Sequence, residues 1–326
     1  MLENYFQNKK EEDIIENQYI KLSDLRKVRG IGDKTIERIK ETLLQNRCTN
    51  TDEEVKYNPN IDLKLNKFYV AESVEFMKAN MPDNFVDLTV TSPPYDNLRK
   101  YKGFEFNYKA MLEELYRVTK DGGVVVWVVN DATIDGSETG TSFKQALYAK
   151  EIGFNLHDTM IYAKNNPIPL THNRYEQQFE YMFIFSKGKP KTFNPIKKAN
   201  IHAGKNKTGT HRLNSDSLKQ MNKQEKVKDF SIKNNIWFYS VNKGSTTKDV
   251  IAHKHPAIFP EQLAEDHILS WSNKGDIVLD PMCGSGTTCK MAYLNNRNFI
   301  GIDMSEEYIN DICIPRLKKY GWNEMT

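Results

Sequence analysis

The stretch that most limits the fold is residues 276–303. Asp276-Ile277-Val278-Leu279-Asp280 reads as a strand, Gly284-Ser285-Gly286 as the turn after it, 287–294 as a helix and 298–302 as a further strand. The glycines remove side chains where a ligand has to approach the backbone. Asp303 ends the second strand, nineteen residues beyond Gly284. An acidic side chain there can take both hydroxyls of a ribose. NAD and S-adenosylmethionine both carry that diol. The third glycine of a dinucleotide fingerprint is missing, with Cys289 in its place, and a sulfonium cofactor needs no pyrophosphate cradle.

The same alternation begins near Leu63. Phe68-Tyr69-Val70-Ala71 predicts a strand, 73–80 a helix, 86–91 a strand and 108–118 a helix. Asp121-Gly122-Gly123 then predicts a turn into the apolar run 124–129, which suggests a strand buried on both faces. A strand is expected at 179–185, a helix with Pro260 in its first turn at 260–271, and a last helix at 306–317. Strand–helix alternation of this kind implies a doubly wound, Rossmann-like α/β sheet. The apolar run is far too short to span a bilayer, the N-terminus lacks a secretory pattern, and mean hydropathy is −0.66. These features predict a soluble cytoplasmic protein with no membrane partner. Cys48, Cys283, Cys289 and Cys313 read as free thiols, and no metal site is expected.

A second short segment carries chemistry. Thr91-Ser92-Pro93-Pro94-Tyr95 closes the strand at 86–91. Two prolines fix the loop and leave carbonyls without local N–H competitors. Ser92 Oγ and the Pro93 carbonyl can then accept hydrogen bonds from an exocyclic –NH₂ group, while Tyr95 offers a face to a base turned out of a helix. Such an amine is a poor nucleophile, so positioning supplies most of the catalysis. The amine loop precedes the cofactor loop by 188 residues, counted from Ser92 to Asp280.

Charge is uneven. The whole chain carries +3, yet residues 187–233 hold thirteen Lys/Arg against three Asp/Glu. That stretch is either an electrostatic footprint for phosphates or a solvated loop. Residues 1–50 read as a small helical unit around Val28-Arg29-Gly30-Ile31-Gly32-Asp33-Lys34. This resembles a helix-hairpin-helix, whose turn, with Gly30, Gly32 and Lys34, would hold the DNA backbone without reading sequence; the alternative is an ordinary helical hairpin that packs on the main domain or a second subunit. Residues 51–62 read as a linker.

Taken together, these motifs resemble the β-class DNA amino-methyltransferases, which use S-adenosylmethionine to methylate N4 of cytosine or N6 of adenine. The resemblance covers residues 67–317 and keeps the family's permuted order: amine loop, target-recognition region, cofactor loop. It implies a methyltransferase domain over 63–326 with a target-recognition region inserted at 190–245. Ser92, Pro93, Pro94 and Tyr95 would be catalytic. Ala71-Glu72 stands where the family usually has Gly-Asp, placing Glu72 against the cofactor adenine. His255, in His255-Pro256-Ala257-Ile258-Phe259-Pro260-Glu261, would border the methionine end. Asp280, Met282 (where phenylalanine is usual), Gly284, Ser285, Gly286, Thr287 and Asp303 complete the cofactor set. Lys197, Lys198, Lys205, Lys207 and Arg212 would meet double-stranded DNA. The resemblance also implies a restriction–modification setting with a cognate restriction endonuclease, although a solitary methylase would look the same. Either a monomer or a homodimer fits.

Family members with serine at the first loop position mostly act on cytosine, so N4 of cytosine is expected over N6 of adenine. Three other classes share part of the pattern. An RNA or protein amide methyltransferase uses a related proline loop, but generally places its cofactor loop first. A nicotinamide dehydrogenase has no use for residues 92–95. A silent DNA-binding module has no reason to keep both loops.

Overall fold

The computed structural model describes residues 63–94, 106–167, 173–207, 210–212, 218–220, 225–242 and 244–323. The helix-hairpin-helix lookalike with Gly30, Gly32 and Lys34, the linker and Tyr95 lie outside them. The described residues open with β1 (Lys67–Val70), α1 (Ser73–Asn80), β2 (Val86–Thr91), α2 (Tyr108–Val118) and β3 (Thr119–Val129). A small hairpin of β4 (Thr133–Ile134) and β5 (Ser137–Glu138) leads to α3 (Thr141–Glu151), β6 (Asn155–Lys164) and β7 (Phe179–Ser186). Four short strands follow: β8 (Lys197–Ala199), β9 (Thr210–Arg212), β10 (Leu218–Gln220) and β11 (Phe230–Ile232). Then come β12 (Ile236–Tyr239), α4 (Glu261–Trp271), β13 (Ile277–Asp280), α5 (Thr287–Leu294) and β14 (Asn298–Asp303). The last helical segment is α6 (Glu306–Tyr308), a π-helical turn at Ile309–Cys313, and α7 (Ile314–Lys318).

Eight strands form one sheet in the order β1-β14-β13-β2-β3-β7-β6-β12. All run parallel except β7, which pairs antiparallel with both β3 and β6. The apolar run of β3 follows from its place in the middle. Val124, Val126 and Val128 enter the core shared with α4, α5 and the C-terminal helix. Val125, Trp127 and Val129 enter the opposite core, with α1, α2 and α3. Helices therefore cover both faces, as the doubly wound expectation requires. Trp127 is fully buried and its indole N–H donates to Gln145 Oε1 at 2.7 Å, so the polar edge of this large side chain is satisfied.

Four local expectations shift. Asp121-Gly122-Gly123 is not a turn before a strand but part of β3, where the register with β2 breaks between Val86 and Leu88. Gly122 makes this bulge possible: its φ is +80°, and a Cβ there would lie 2.4 Å from Lys191 Cγ. Pro260 sits just before α4 in extended conformation, and its carbonyl accepts the Leu263 N–H at 3.0 Å. The last helix is interrupted by the π turn, where the Ile314 N–H reaches Ile309 O. Pro315 follows at once and has no N–H with which to continue an α ladder. Finally, α3 and β6 go beyond the predicted elements.

Two small ribbons, β8–β11 and β9–β10, are inserted between β7 and β12. β12 rejoins the main sheet at its edge, so the sheet resumes inside the expected 190–245 region. The stem of the insert is closed by Lys233 N donating to Ile196 O at 2.8 Å. Asn194 N donates to Ser270 O at 2.8 Å, which fixes the stem to the end of α4.

Candidate active site

β2 and β13 are neighbours at the centre of the sheet. From β2 the chain winds through α2 to β3 on one side, and from β13 through α5 to β14 on the other. That divergence is the topological switch point, where the carboxyl ends of the strands leave a crevice for a ligand. The amine loop leaves β2 there, and the glycine loop leaves β13 beside it.

Two hydrogen bonds tie these strand ends together. Thr91 Oγ1 donates to Asp280 Oδ1 at 2.8 Å, and Thr288 Oγ1 donates to Val90 O at 2.9 Å. Ser92 is the next residue after Thr91; it is half-buried, and Pro93 is buried. Asp280 also accepts the Met282 N–H at 3.2 Å. Its carboxyl is 2% exposed, and burial pushes its pKa up to about 7 against the pull of these donors.

The glycine loop is shaped by two left-handed residues, Gly284 (φ +50°) and Gly286 (φ +73°). A Cβ on Gly284 would lie 2.8 Å from His255 Nε2, and one on Gly286 would lie 3.0 Å from Cys313 Sγ. Glycine is therefore required twice over, by conformation and by space. Asp303 closes the loop from β14: Oδ2 accepts the Gly284 N–H at 2.8 Å and Oδ1 accepts the Ser305 N–H at 2.9 Å. Burial raises its pKa, opposed by these N–H groups and by His255. A carboxylate has about four acceptor positions, so two remain for a vicinal diol. The His255 ring packs edge-on against Tyr308 at 4.5 Å between centroids, with Nδ1 2.7 Å from Ala257 O. Glu72 follows Ala71, whose N–H donates to Asp303 O at 3.0 Å. The Glu72 carboxylate caps α1 by accepting the Glu75 N–H at 2.8 Å. His255, Gly284, Gly286, Asp303 and Asp280 thus meet at one place, with Glu72 on the adjoining strand end.

Ser285 and Thr287 face inward. Their hydroxyls lie 3.2 Å apart, and Arg316 Nη1 donates to Ser285 O at 2.8 Å and Thr287 Oγ1 at 3.0 Å. Arg316 belongs to a buried ionic cluster that the sequence reading missed. Its Nε reaches Asp249 Oδ2 at 3.0 Å and its Nη2 reaches Glu261 Oε1 at 2.5 Å. Lys290 Nζ lies 2.7 Å from each of the same two oxygens and donates to Tyr320 OH at 3.0 Å. Burial alone would raise the pKa of Asp249 and Glu261, but the two cations hold both below the usual range. The available signal was Lys290 inside Thr288-Cys289-Lys290-Met291-Ala292, a charge within an otherwise small and apolar helix.

On the insert, Lys197 and Lys198 stand exposed on β8. Lys198 Nζ donates to Asn234 Oδ1 at 2.7 Å, and Lys207 pairs with Glu225 at 2.5 Å. Lys205 is also exposed. Arg212 lies on β9, its side chain outside the described residues. Cys283, Cys289 and Cys313 are buried free thiols. Among the described residues no cluster of His, Cys, Asp or Glu could hold a metal ion, and no helix is long and apolar enough to cross a membrane.

The family model for DNA methylases, the N6/N4 amino-methyltransferases, matches residues 86–313. The chain belongs to this family and is a DNA amino-methyltransferase, with S-adenosylmethionine as its methyl donor. It is similar to the orphan methyltransferase M.BamHII of Bacillus amyloliquefaciens, with 58% identity over 247 residues that cover 75% of this chain and 93% of that protein. It is also similar to the Type II methyltransferase M.BglII of Bacillus subtilis, with 28% identity over 258 residues, or 76% of this chain and 67% of that one. Among solved structures, the PvuII DNA methyltransferase (cytosine-N4-specific) shares the fold at a TM-score of 0.55 and 20% identity, covering 78% of this chain and 90% of that chain.

Proposed function

We propose that this enzyme methylates N4 of a cytosine turned out of double-stranded DNA. The observation that carries the reading is the Thr91–Asp280 hydrogen bond, which sets the amine-accepting loop beside the glycine loop at the switch point. S-adenosylmethionine, when bound, supplies an electrophilic methyl group on a sulfonium. Asp303 would hold its ribose hydroxyls, the glycine loop would let it approach the backbone, Glu72 would meet the adenine and His255 would border the methionine end. Asp280, Met282, Ser285 and Thr287 shape that loop, the last two from beneath. Ser92 Oγ and the Pro93 carbonyl accept hydrogen bonds from the target amine, orienting its lone pair, with Pro94 stiffening the loop and Tyr95 stacking on the base. Ser92 favours cytosine over adenine in this reading.

Lys197, Lys198, Lys205, Lys207 and Arg212 meet phosphates and make binding salt-dependent. The unit at 1–50 adds a backbone grip through Gly30, Gly32 and Lys34. Similarity to the Type II methyltransferase M.BglII supports service in a restriction–modification system beside a cognate restriction endonuclease, whereas similarity to the orphan methyltransferase M.BamHII supports a solitary enzyme. The test is incubation with tritiated S-adenosylmethionine and unmethylated genomic DNA, followed by nucleoside analysis, with Ser92→Ala alongside. N4-methylcytosine that disappears in the variant is expected. N6-methyladenine would overturn the choice of base, and a fully active variant would overturn the role of Ser92.

A further inference from the structure

The ribbon β8–β11 presents an unusual surface. Its antiparallel register sets Phe230 opposite Ala199 and Ile232 opposite Lys197. Residues two apart on a strand, and residues directly paired across strands, share a face. Phe230 and Ile232 therefore stand together, 58% and 56% exposed, and neither belongs to either hydrophobic core. Lys197, Lys207 and Lys228 line the same groove as these two side chains.

Apolar side chains ringed by cations suit a polyanion that shows apolar groups between its charges. A second copy of this face would instead bring like charges together. The major groove of duplex DNA is about 12 Å wide and admits a two-stranded ribbon. Phosphates flank it, and the C5-methyl of thymine is the apolar group on its floor. The exposed Lys207–Glu225 pair is weak enough to be exchanged for a phosphate contact. We propose that the β8–β11 ribbon enters the major groove and that Phe230 and Ile232 read thymine methyl groups, so that the recognition sequence contains thymine. This rests on the reading of the chain as a methylase of double-stranded DNA.

Deoxyuridine keeps the pairing of thymidine and removes only the methyl. One genomic segment that the enzyme methylates is amplified with thymidine or with deoxyuridine triphosphate, and kcat/KM is compared for wild type, Phe230→Ala, Ile232→Ala and Phe230→Leu. Wild type is expected to lose roughly fourfold on deoxyuridine DNA for each methyl contacted, the factor for one buried methyl-sized group. Phe230→Ala should lose a similar factor on thymidine DNA and little more on deoxyuridine DNA. Phe230→Leu, which keeps apolar area, should retain the discrimination. Equal wild-type activity on both DNAs, or full deoxyuridine sensitivity in both alanine variants, overturns the proposal. Wild type that methylates no duplex genomic segment, so that none can be chosen for amplification, overturns the reading of double-stranded DNA as the substrate, and that prior screen separates the two failures.

Discussion

Replacing Asp280 by asparagine isolates a carboxyl that joins both loops of the site. In the folded protein it is buried, accepts Thr91 Oγ1 and the Met282 N–H, and has its pKa pushed up to about 7. In the unfolded chain a carboxyl of this type has a pKa of about 3.9. Between these values the folded state holds a proton that the unfolded state has lost. The resulting contribution to stability is complete below about pH 4 and is lost as pH rises through 7. Between pH 5 and pH 8 the loss comes to about 2.5 kcal/mol. Asparagine keeps an oxygen for both donors and does not titrate. Urea unfolding of wild type and Asp280→Asn at both pH values removes the contribution of every other titrating group from the difference. Wild type should lose about 2.5 kcal/mol more than the variant on going from pH 5 to pH 8. A difference that stays constant with pH would refute the argument that burial dominates this carboxyl.

Arg316→Ala leaves Asp249 and Glu261 buried with one cation between them, and should cost about 3–5 kcal/mol in chemical unfolding. Arg316→Lys should recover only part of this, because it cannot span the same fork of partners. Gly284→Ala puts a methyl 2.8 Å from His255 Nε2 at φ +50°. S-adenosylmethionine affinity by calorimetry should fall about tenfold or more, the conformational term alone being about 1–2 kcal/mol; adding His255→Ala should relieve the clash but not that term. Asp303→Ala should raise KM for S-adenosylmethionine at least about tenfold by removing hydrogen bonds to a charged acceptor worth about 1.5–3 kcal/mol each. A KM unchanged in this variant would place the ribose elsewhere.

The parts of this molecule that read clearly from sequence are those in which one residue type has a single physical use. Gly284, Gly286 and Asp303 announce a turn and its closing acid, and the structure joins Gly284 to Asp303 by one hydrogen bond. The run 124–129 announces a strand with a core on either side. Residues 121–123 misled because glycine serves a bulge as readily as a turn, and only the tertiary pairing of β3 with β2 distinguishes the two. The ionic cluster was invisible for a different reason. Asp249, Glu261, Lys290 and Arg316 are spread over 67 residues and meet only through tertiary packing. The insert has too few residues per strand to show any period, so its ribbons emerge only from their pairing.

The stem of the insert has a consequence for how such an enzyme can change its target. The chain leaves the frame at Ile196 and returns at Lys233, and these two residues are hydrogen-bonded to each other. The ribbon β8–β11 between them hangs from a closed neck, while the strands that carry the candidate site lie on the other side of it. Segments whose ends meet tolerate replacement by others of different length, since the frame sees only the neck. On the proposal that this insert reads the target, specificity can therefore drift, or be exchanged wholesale, without disturbing the chemistry.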